Sequence, residues 1–446
     1  MLSCHSQYRS TANDLVDFPE HWQAIDTSGP LMWSRHIAST ELENRVREGI
    51  AHNPDVQIQA LQVELAQTEL FRGRMRYVPS LDLRLNGGRR ATQTAFGNTV
   101  SNQFSLTADL QYELNLWGQI STANRAAALN LARARAEFDA VQRNMALLVS
   151  LAWADVIEAQ QLSQLGSERL SNLENNLGII ESGYRSGLNS ALEVYLARND
   201  VERERARQVQ NGDQLNDSLR ALSTQMGRFP STDIQAAADF PETLAPLPAE
   251  LPSEQILRRP DLRAAWLAIL AQDAQLAVAH KARFPSLRLT ASGGRSSAEL
   301  AKLLEDNNPL WSVSASLVQP LLAAGQLKAA EERARLQLEQ FEYRYTRIVH
   351  DAFAQIESLL EKQTSLQQRH ALTLQARDNA LLAEKLSFEQ YLKGLVTYTT
   401  VLDAQRRAVD AEIQLIALNK QRFTNQIRLF DALAGKLDFI ASDTQP

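Results

Sequence analysis

The sequence repeats itself once. Asn53-Pro54-Asp55 and the stretch from Pro79 to Gly87-Gly88 are answered 206 residues later by Arg259-Pro260-Asp261 and the stretch from Pro285 to Gly293-Gly294. In both copies the two prolines lie 25 residues apart, and the Gly-Gly pair starts eight residues after the second. Further on, Tyr184-Arg185-Ser186-Gly187-Leu188 is answered by Tyr391-Leu392-Lys393-Gly394-Leu395 at an offset of 207. Two copies of so long a unit imply a pseudo-symmetric body and exclude a solenoid built from short repeats. The spacing divides the chain into an N-terminal segment (1–38), a first copy (39–228), a linker (229–252), a second copy (253–437) and a tail (438–446).

Each copy reads as helices around a pair of strands. In the first, a helical pattern runs from Thr40 to about Arg76 and stops before Pro79. A strand is expected over 80–88, then a Gly-, Thr- and Asn-rich loop over about 87–102, then a strand over 103–114. In that second strand Phe104, Leu106, Ala108, Leu110, Tyr112 and Leu114 alternate with Gln103, Ser105, Thr107, Asp109, Gln111 and Glu113, which separates an apolar face from a polar one. A proline-free helical run follows from about 121 to 186, long enough for roughly 100 Å of helix. Leu170, Leu173, Leu177 and Ile180 mark a coiled-coil seam in it. Gly187 stops it, and Ser190 with Glu193 forms a capping box for the next helix, which runs to about Gly227. The linker region 228–252 holds five of the fourteen prolines. The second copy repeats the order: helix (about 253–283), strand (286–294), strand (310–319, with Trp311, Val313, Ala315 and Leu317 alternating with serines), long helix (about 326–392), Gly394 and a last helix to about Ala434.

Composition removes several classes of function. The net charge of −6 comes with no basic patch interleaved with aromatics, so nucleic acid is not an expected partner. One cysteine rules out a disulfide framework. The seven histidines include no i, i+4 pair for a helical metal site, and no nucleophile-elbow, phosphate-loop or dinucleotide motif occurs. No catalytic residue, cofactor or metal is therefore expected. No run of 18 apolar residues exists for a membrane helix, so contact with a membrane would come through strands or a lipid. The single cysteine, in Met1-Leu2-Ser3-Cys4, has a small residue before it and a leucine upstream, like the end of a bacterial lipoprotein signal. The charged and apolar regions of an export signal do not precede it in the given chain.

The four strands have about the length needed to cross a bilayer, with faces that alternate apolar and polar. Four strands cannot close on themselves, and an open sheet in lipid leaves edge groups unpaired at several kcal/mol each. A membrane reading thus demands assembly: eight strands in a dimer, twelve in a trimer. The other reading is two soluble hairpins packed on the helices, which show the same alternation.

Tyr112-Glu113-Leu114-Asn115-Leu116-Trp117-Gly118-Gln119 resembles the strand-to-helix motif of TolC-like outer-membrane efflux ducts. So does Gln319-Pro320-Leu321-Leu322-Ala323-Ala324-Gly325-Gln326, and Asn53-Pro54-Asp55, Arg258-Arg259-Pro260-Asp261 and Leu402-Asp403-Ala404-Gln405-Arg406 also match. The resemblance covers about Trp33 to Lys436. With the lipoprotein-like start, it points to the lipoprotein branch that serves resistance-nodulation-division (RND) pumps. It implies a mainly α chain with a small membrane β-barrel: a homotrimer with a twelve-stranded barrel in the bacterial outer membrane and a twelve-helix coiled-coil tunnel in the periplasm. An equatorial collar would come from the linker and termini, and Cys4 would carry the lipid. The implied partners are a periplasmic adaptor (membrane fusion protein), an inner-membrane RND pump and outer-membrane lipid. The implied function is an exit duct that passively conducts drugs or other small toxic compounds and opens at its periplasmic tip. A periplasmic coiled-coil scaffold and the duct of a type I secretion system are the alternatives.

The turns at Gly187 and Gly394 are expected to form that tip. The resemblance sets Asp403 at an inner acidic gate position, where three copies would favour cations and repel one another. Its local alternative is a pair with Arg406 or Arg407 one turn on. Thr399 and Thr400 stand where relatives often carry a bulky apolar residue or a second aspartate, which suggests a hydroxyl-lined constriction. Glu193 is the counterpart of Thr400, with capping as its other explanation. Tyr184 and Tyr391 are candidates for tying neighbouring helices, or for plain packing.

Overall fold

The structure, a computed structural model, describes residues 39–94, 97–234, 258–305, 309–321 and 324–435, with 37, 237, 239–241, 256 and 437. Cys4, most of the 229–252 linker and the 438–446 tail lie outside the described residues. In chain order the elements are α1 (Thr40–His52), α2 (Pro54–Met75), β1 (Ser80–Thr94), β2 (Gly97–Leu114), α3 (Gln119–Arg185), α4 (Ala191–Gln225), α5 (Pro260–Lys281), β3 (Ser286–Ser297), β4 (Pro309–Val318), α6 (Ala324–Leu392) and α7 (Tyr398–Ala432). No helix among the described residues is long and apolar enough to cross a membrane.

The expected first helix is two. Asn53 is extended (φ −67°, ψ 131°), as the residue before a proline prefers, and Pro54 starts α2. The expected loop over 87–102 is mostly strand. β1 and β2 stay in unbroken register from Ser80↔Gln111 to Thr94↔Gly97. The Gly, Thr and Asn residues there mark the loss of an apolar face, not of extended backbone.

The chain divides into two compact units, and each takes matching pieces of both copies. One gathers residues 62–136 and 263–347; the other holds the remaining helical segments.

The first unit contains the sheet, antiparallel in the order β1-β2-β3-β4. The two hairpins are joined because β2 pairs with β3 from Phe104↔Ser297 to Leu114↔Leu287. Register carries the alternation across all four strands. Leu83, Ala108, Gly293 and Trp311 form one row; Leu81, Leu110, Ala291 and Val313 form the next. The opposite face carries Asp82, Asp109, Ser292 and Ser312 in one row, with the Ser292 hydroxyl donating to Asp109 Oδ1 at 2.6 Å and Arg84 pairing with Asp109 at 3.3 Å. The apolar face is uncovered at the outer strands: Leu83 is 75% exposed, Val313 75% and Trp311 80%. Gly294 is needed where β3 meets β2, since a Cβ there would lie 2.0 Å from the Leu106 carbonyl oxygen. Where β2 ends, Asn115 Oδ1 accepts the Ile120 N–H at 2.9 Å and caps α3. Trp117 stacks on Phe284 at 5.4 Å and donates to the Pro285 carbonyl at 2.7 Å, locking one strand-to-helix corner to the other helix-to-strand corner. The helical core of this unit is alanine-rich (Ala126, Ala134, Ala268, Ala271, Ala274), which lets helices approach closely.

The second unit is helical. Trp153 and Phe423 are fully buried with rings 5.5 Å apart. Leu173 and Ile180 of the expected seam are buried. Lys420 on α7 reaches Asp155 (2.7 Å) and Glu158 (2.6 Å) on α3.

Candidate functional site

The two glycine turns close their helices in the same way. After α3, Gly187 takes φ +76°, the Leu188 N–H donates to Gly183 O (2.8 Å) and the Gly187 N–H to Tyr184 O (3.0 Å). After α6, Gly394 takes φ +69°, the Leu395 N–H donates to Gln390 O (3.0 Å) and the Gly394 N–H to Tyr391 O (2.8 Å). Both are Schellman closures, in which the left-handed residue falls to glycine. Leu188 and Leu395, one residue on, are 82% and 70% exposed.

The helix starts that follow differ. Ser190 and Glu193 form a complete capping box: the Ser190 N–H donates to Glu193 Oε2 (2.8 Å) and the Glu193 N–H to Ser190 Oγ (3.3 Å). Thr397 makes no side-chain cap bond to the helix backbone. Its hydroxyl lies instead 2.8 Å from that of Thr399 and 3.2 Å from that of Thr400.

Beneath the turns Ile180, Val194, Ala197, Tyr398 and Val401 form a buried cluster, with Phe388 and Tyr391 packed against it. The Tyr391 and Tyr398 rings are 5.4 Å apart. The Tyr391 hydroxyl is buried without a hydrogen-bond partner. Burial, then the charge of Glu193, pushes the Tyr391 phenol up; burial, then Asp200, does the same to Tyr398. Both rings are held as neutral apolar packing. An open groove of about 960 Å³ runs beside the turns, lined by Ile179, Ser182, Leu188, Glu193, Tyr391 and Val396 among others.

Along α7, Val401, Gln405 and Ala408 face inward, while Thr399, Thr400, Asp403, Arg406 and Arg407 are exposed. Helical spacing gathers these five into one polar stripe. Asp403 makes no ion pair with Arg406 or Arg407 among the described residues. On α4, burial pushes the Asp200 carboxyl up against the pull of Arg203, then Arg169 and Arg406. Tyr184 is half exposed.

The structure also gives a role to the duplicated Asn-Pro-Asp and Arg-Pro-Asp motifs, which sequence reasoning had only noted. Asn53 Nδ2 donates to Gln225 O (2.9 Å), closing the C-terminus of α4; Arg259 Nη1 donates to Ala432 O (3.1 Å), closing that of α7. A side chain at Gly227 (φ +76°) would strike the His52 backbone at 2.5 Å. Its counterpart in the second copy is Ala434, at φ +56°. A charged layer that no motif announced crosses the helical unit, with Arg169 paired to the buried Glu204 at 3.0 Å.

A duplicated chain with unbroken helices of 67 and 69 residues, paired glycine turns and a four-stranded sheet with an uncovered apolar face has the architecture of a membrane duct subunit. The chain belongs to the outer membrane efflux protein family, whose profile matches residues 46–228 and 251–435. It is similar to the toluene efflux pump outer membrane protein TtgF of Pseudomonas putida (27% identical over 416 residues, covering 92% of this chain and 87% of the relative). It is also similar to the probable outer membrane lipoprotein SilC of Salmonella typhimurium (25% identical, covering 92% and 89%). Among solved structures, the Campylobacter jejuni CmeC outer membrane channel superposes with a TM-score of 0.87 at 18% identity, covering 94% of each chain. A membrane protein from Pseudomonas aeruginosa gives 0.82 at 27%, covering 93% and 97%. The protein is an outer-membrane efflux channel subunit, and the family is one of channels, not enzymes.

Proposed function

We propose that three copies of this chain form the exit duct of a tripartite efflux system, each giving four strands to a closed twelve-stranded barrel. One observation carries the reading. The sheet presents an apolar face that is uncovered on the outer strands β1 and β4, and the outer edges of those strands have no partner strand among the described residues. In lipid each unpaired edge group costs several kcal/mol, so the edges must meet other copies. The helical segments then form the periplasmic tunnel, with the Gly187 and Gly394 turns at its tip. A periplasmic adaptor docks there and links the duct to an inner-membrane RND pump. Cys4 is the acylated anchor, in keeping with a relative named as a lipoprotein. The cargo is drugs or other small toxic compounds; relatives are named for toluene, solvent and antibiotic efflux.

At the tip the exposed stripe of Thr399, Thr400, Asp403 and Arg406 lines the constriction, and Glu193, Tyr184 and Tyr391 hold the surrounding helices. The test of assembly is the native mass of the detergent-extracted protein, expressed with an export signal and corrected for detergent. About three times the 49.8 kDa chain is expected, and a soluble monomer would overturn the duct. The gate is read in planar bilayers: D403N should cut the preference for cations over anions several-fold. Unchanged selectivity would remove Asp403 from the gate.

A further inference from the structure

The two hairpins end at different heights. β3 pairs with β2 only as far as Ser297↔Phe104, and β4 with β3 only as far as Pro309↔Arg295. β1 and β2 continue alone from Gly88↔Gln103 to Thr94↔Gly97, about 20 Å of two-stranded ribbon. A ribbon of this kind is marginal in water by itself, and it pairs with no third strand among the described residues.

Its chemistry is one-sided. The sequence holds no acidic residue from Leu83 to Ala108, and the ribbon carries Arg89 and Arg90, both exposed and without a partner among the described residues. Alternation puts them on opposite faces. Arg89 shares the face of the apolar band, one row above Phe104 and beside Asn102, with Gln93 and Asn98 two rows higher. On the same face Arg295 lies one row below Phe104 and donates one N–H to the Leu304 carbonyl at 2.6 Å. On this face, then, Arg295 stands beside Leu106 within the band, Arg89 and Asn102 follow Phe104, and a small apolar row of Ala91 and Val100 separates them from Gln93 and Asn98. Arg90, with Ser101, lies on the polar face.

We propose that Arg89, with Asn102 and Arg295, binds the phosphorylated sugar headgroup of an outer-leaflet lipid. The guanidinium takes the phosphate in the two-pronged manner suited to it. The amides of Asn102, Gln93 and Asn98 meet the sugar hydroxyls. The ribbon is steadied by the glycolipid layer instead of by a third strand. The proposal rests on the outer-membrane reading above.

The test uses the full chain reconstituted in vesicles of zwitterionic phospholipid doped with a diphosphorylated glucosamine lipid. Retained glycolipid per protein is counted by native mass spectrometry. R89Q should weaken retention about fivefold, the effect of one cation at a lipid surface. R90Q, its neighbour on the other face, should change nothing. Equal losses in R89Q and R90Q would overturn the site, as would equal retention of the dephosphorylated glycolipid or of phosphatidylglycerol. Insertion of the wild-type chain without glycolipid retention also sinks the headgroup site but leaves the channel intact. A wild-type chain that does not enter the vesicles overturns the channel reading itself, and the site with it.

Discussion

Ser190 and Thr397 stand at equivalent places after the two glycine turns, yet only Ser190 bonds its helix backbone through its side chain. Replacing Ser190 with Ala should therefore destabilise the first turn by about 1 kcal/mol. Thr397→Ala should change stability by far less. Hydrogen exchange of the amides at 191–194 and 398–401 separates the two, and equal acceleration at both turns would show the asymmetry to be immaterial. This residue pair also shows what a sequence can and cannot reveal. The Ser190–Glu193 box was legible because its two bonds are local and have a fixed spacing. That Asp403 forms no ion pair with Arg406 or Arg407 among the described residues was not, because spacing alone allows that pair. Nor does spacing within α7 show that Arg406 acts on the charge of Asp200, which lies on another helix.

At the level of elements, the strands were legible on their apolar side and illegible beyond it. Leu81, Leu83 and Leu85 announce β1 by alternation. Gly88 to Thr94 has no apolar face to alternate, so its extended backbone left no mark. Apart from the break before Pro54, the long helices were legible in extent, but the charged layer within them was not, since its members come from four separate helices. That layer carries a pH response. Burial pushes the Glu384 carboxyl up, against Arg169 and together with Glu412; burial likewise pushes Glu412 up, against Arg377. A carboxyl whose folded value is raised binds more protons folded than unfolded, so its contribution to stability grows as the pH falls through that value. The double variant E384Q/E412Q should lose this acid-side gain. Thermal unfolding of wild type and variant at pH 7 and about pH 5 measures it, and parallel shifts in the two proteins would refute it.

For the whole molecule, the sheet must expose one face to lipid and the other to water. Arginine at Leu106 or Val313, on the apolar face, should destabilise the inserted state by about 2–4 kcal/mol and deplete the outer-membrane fraction. Arginine at Ser314, on the polar face, should be tolerated. Equal yields on both faces would return the hairpins to a soluble role. The outer edges of β1 and β4 carry a further, genetic consequence. In the proposed trimer no chain completes its own sheet, so a chain with one spoiled edge strand breaks the ring of strands for its two sound neighbours as well. A strain carrying both a normal and an edge-defective allele should then lose more efflux than half, and the defect should behave as dominant.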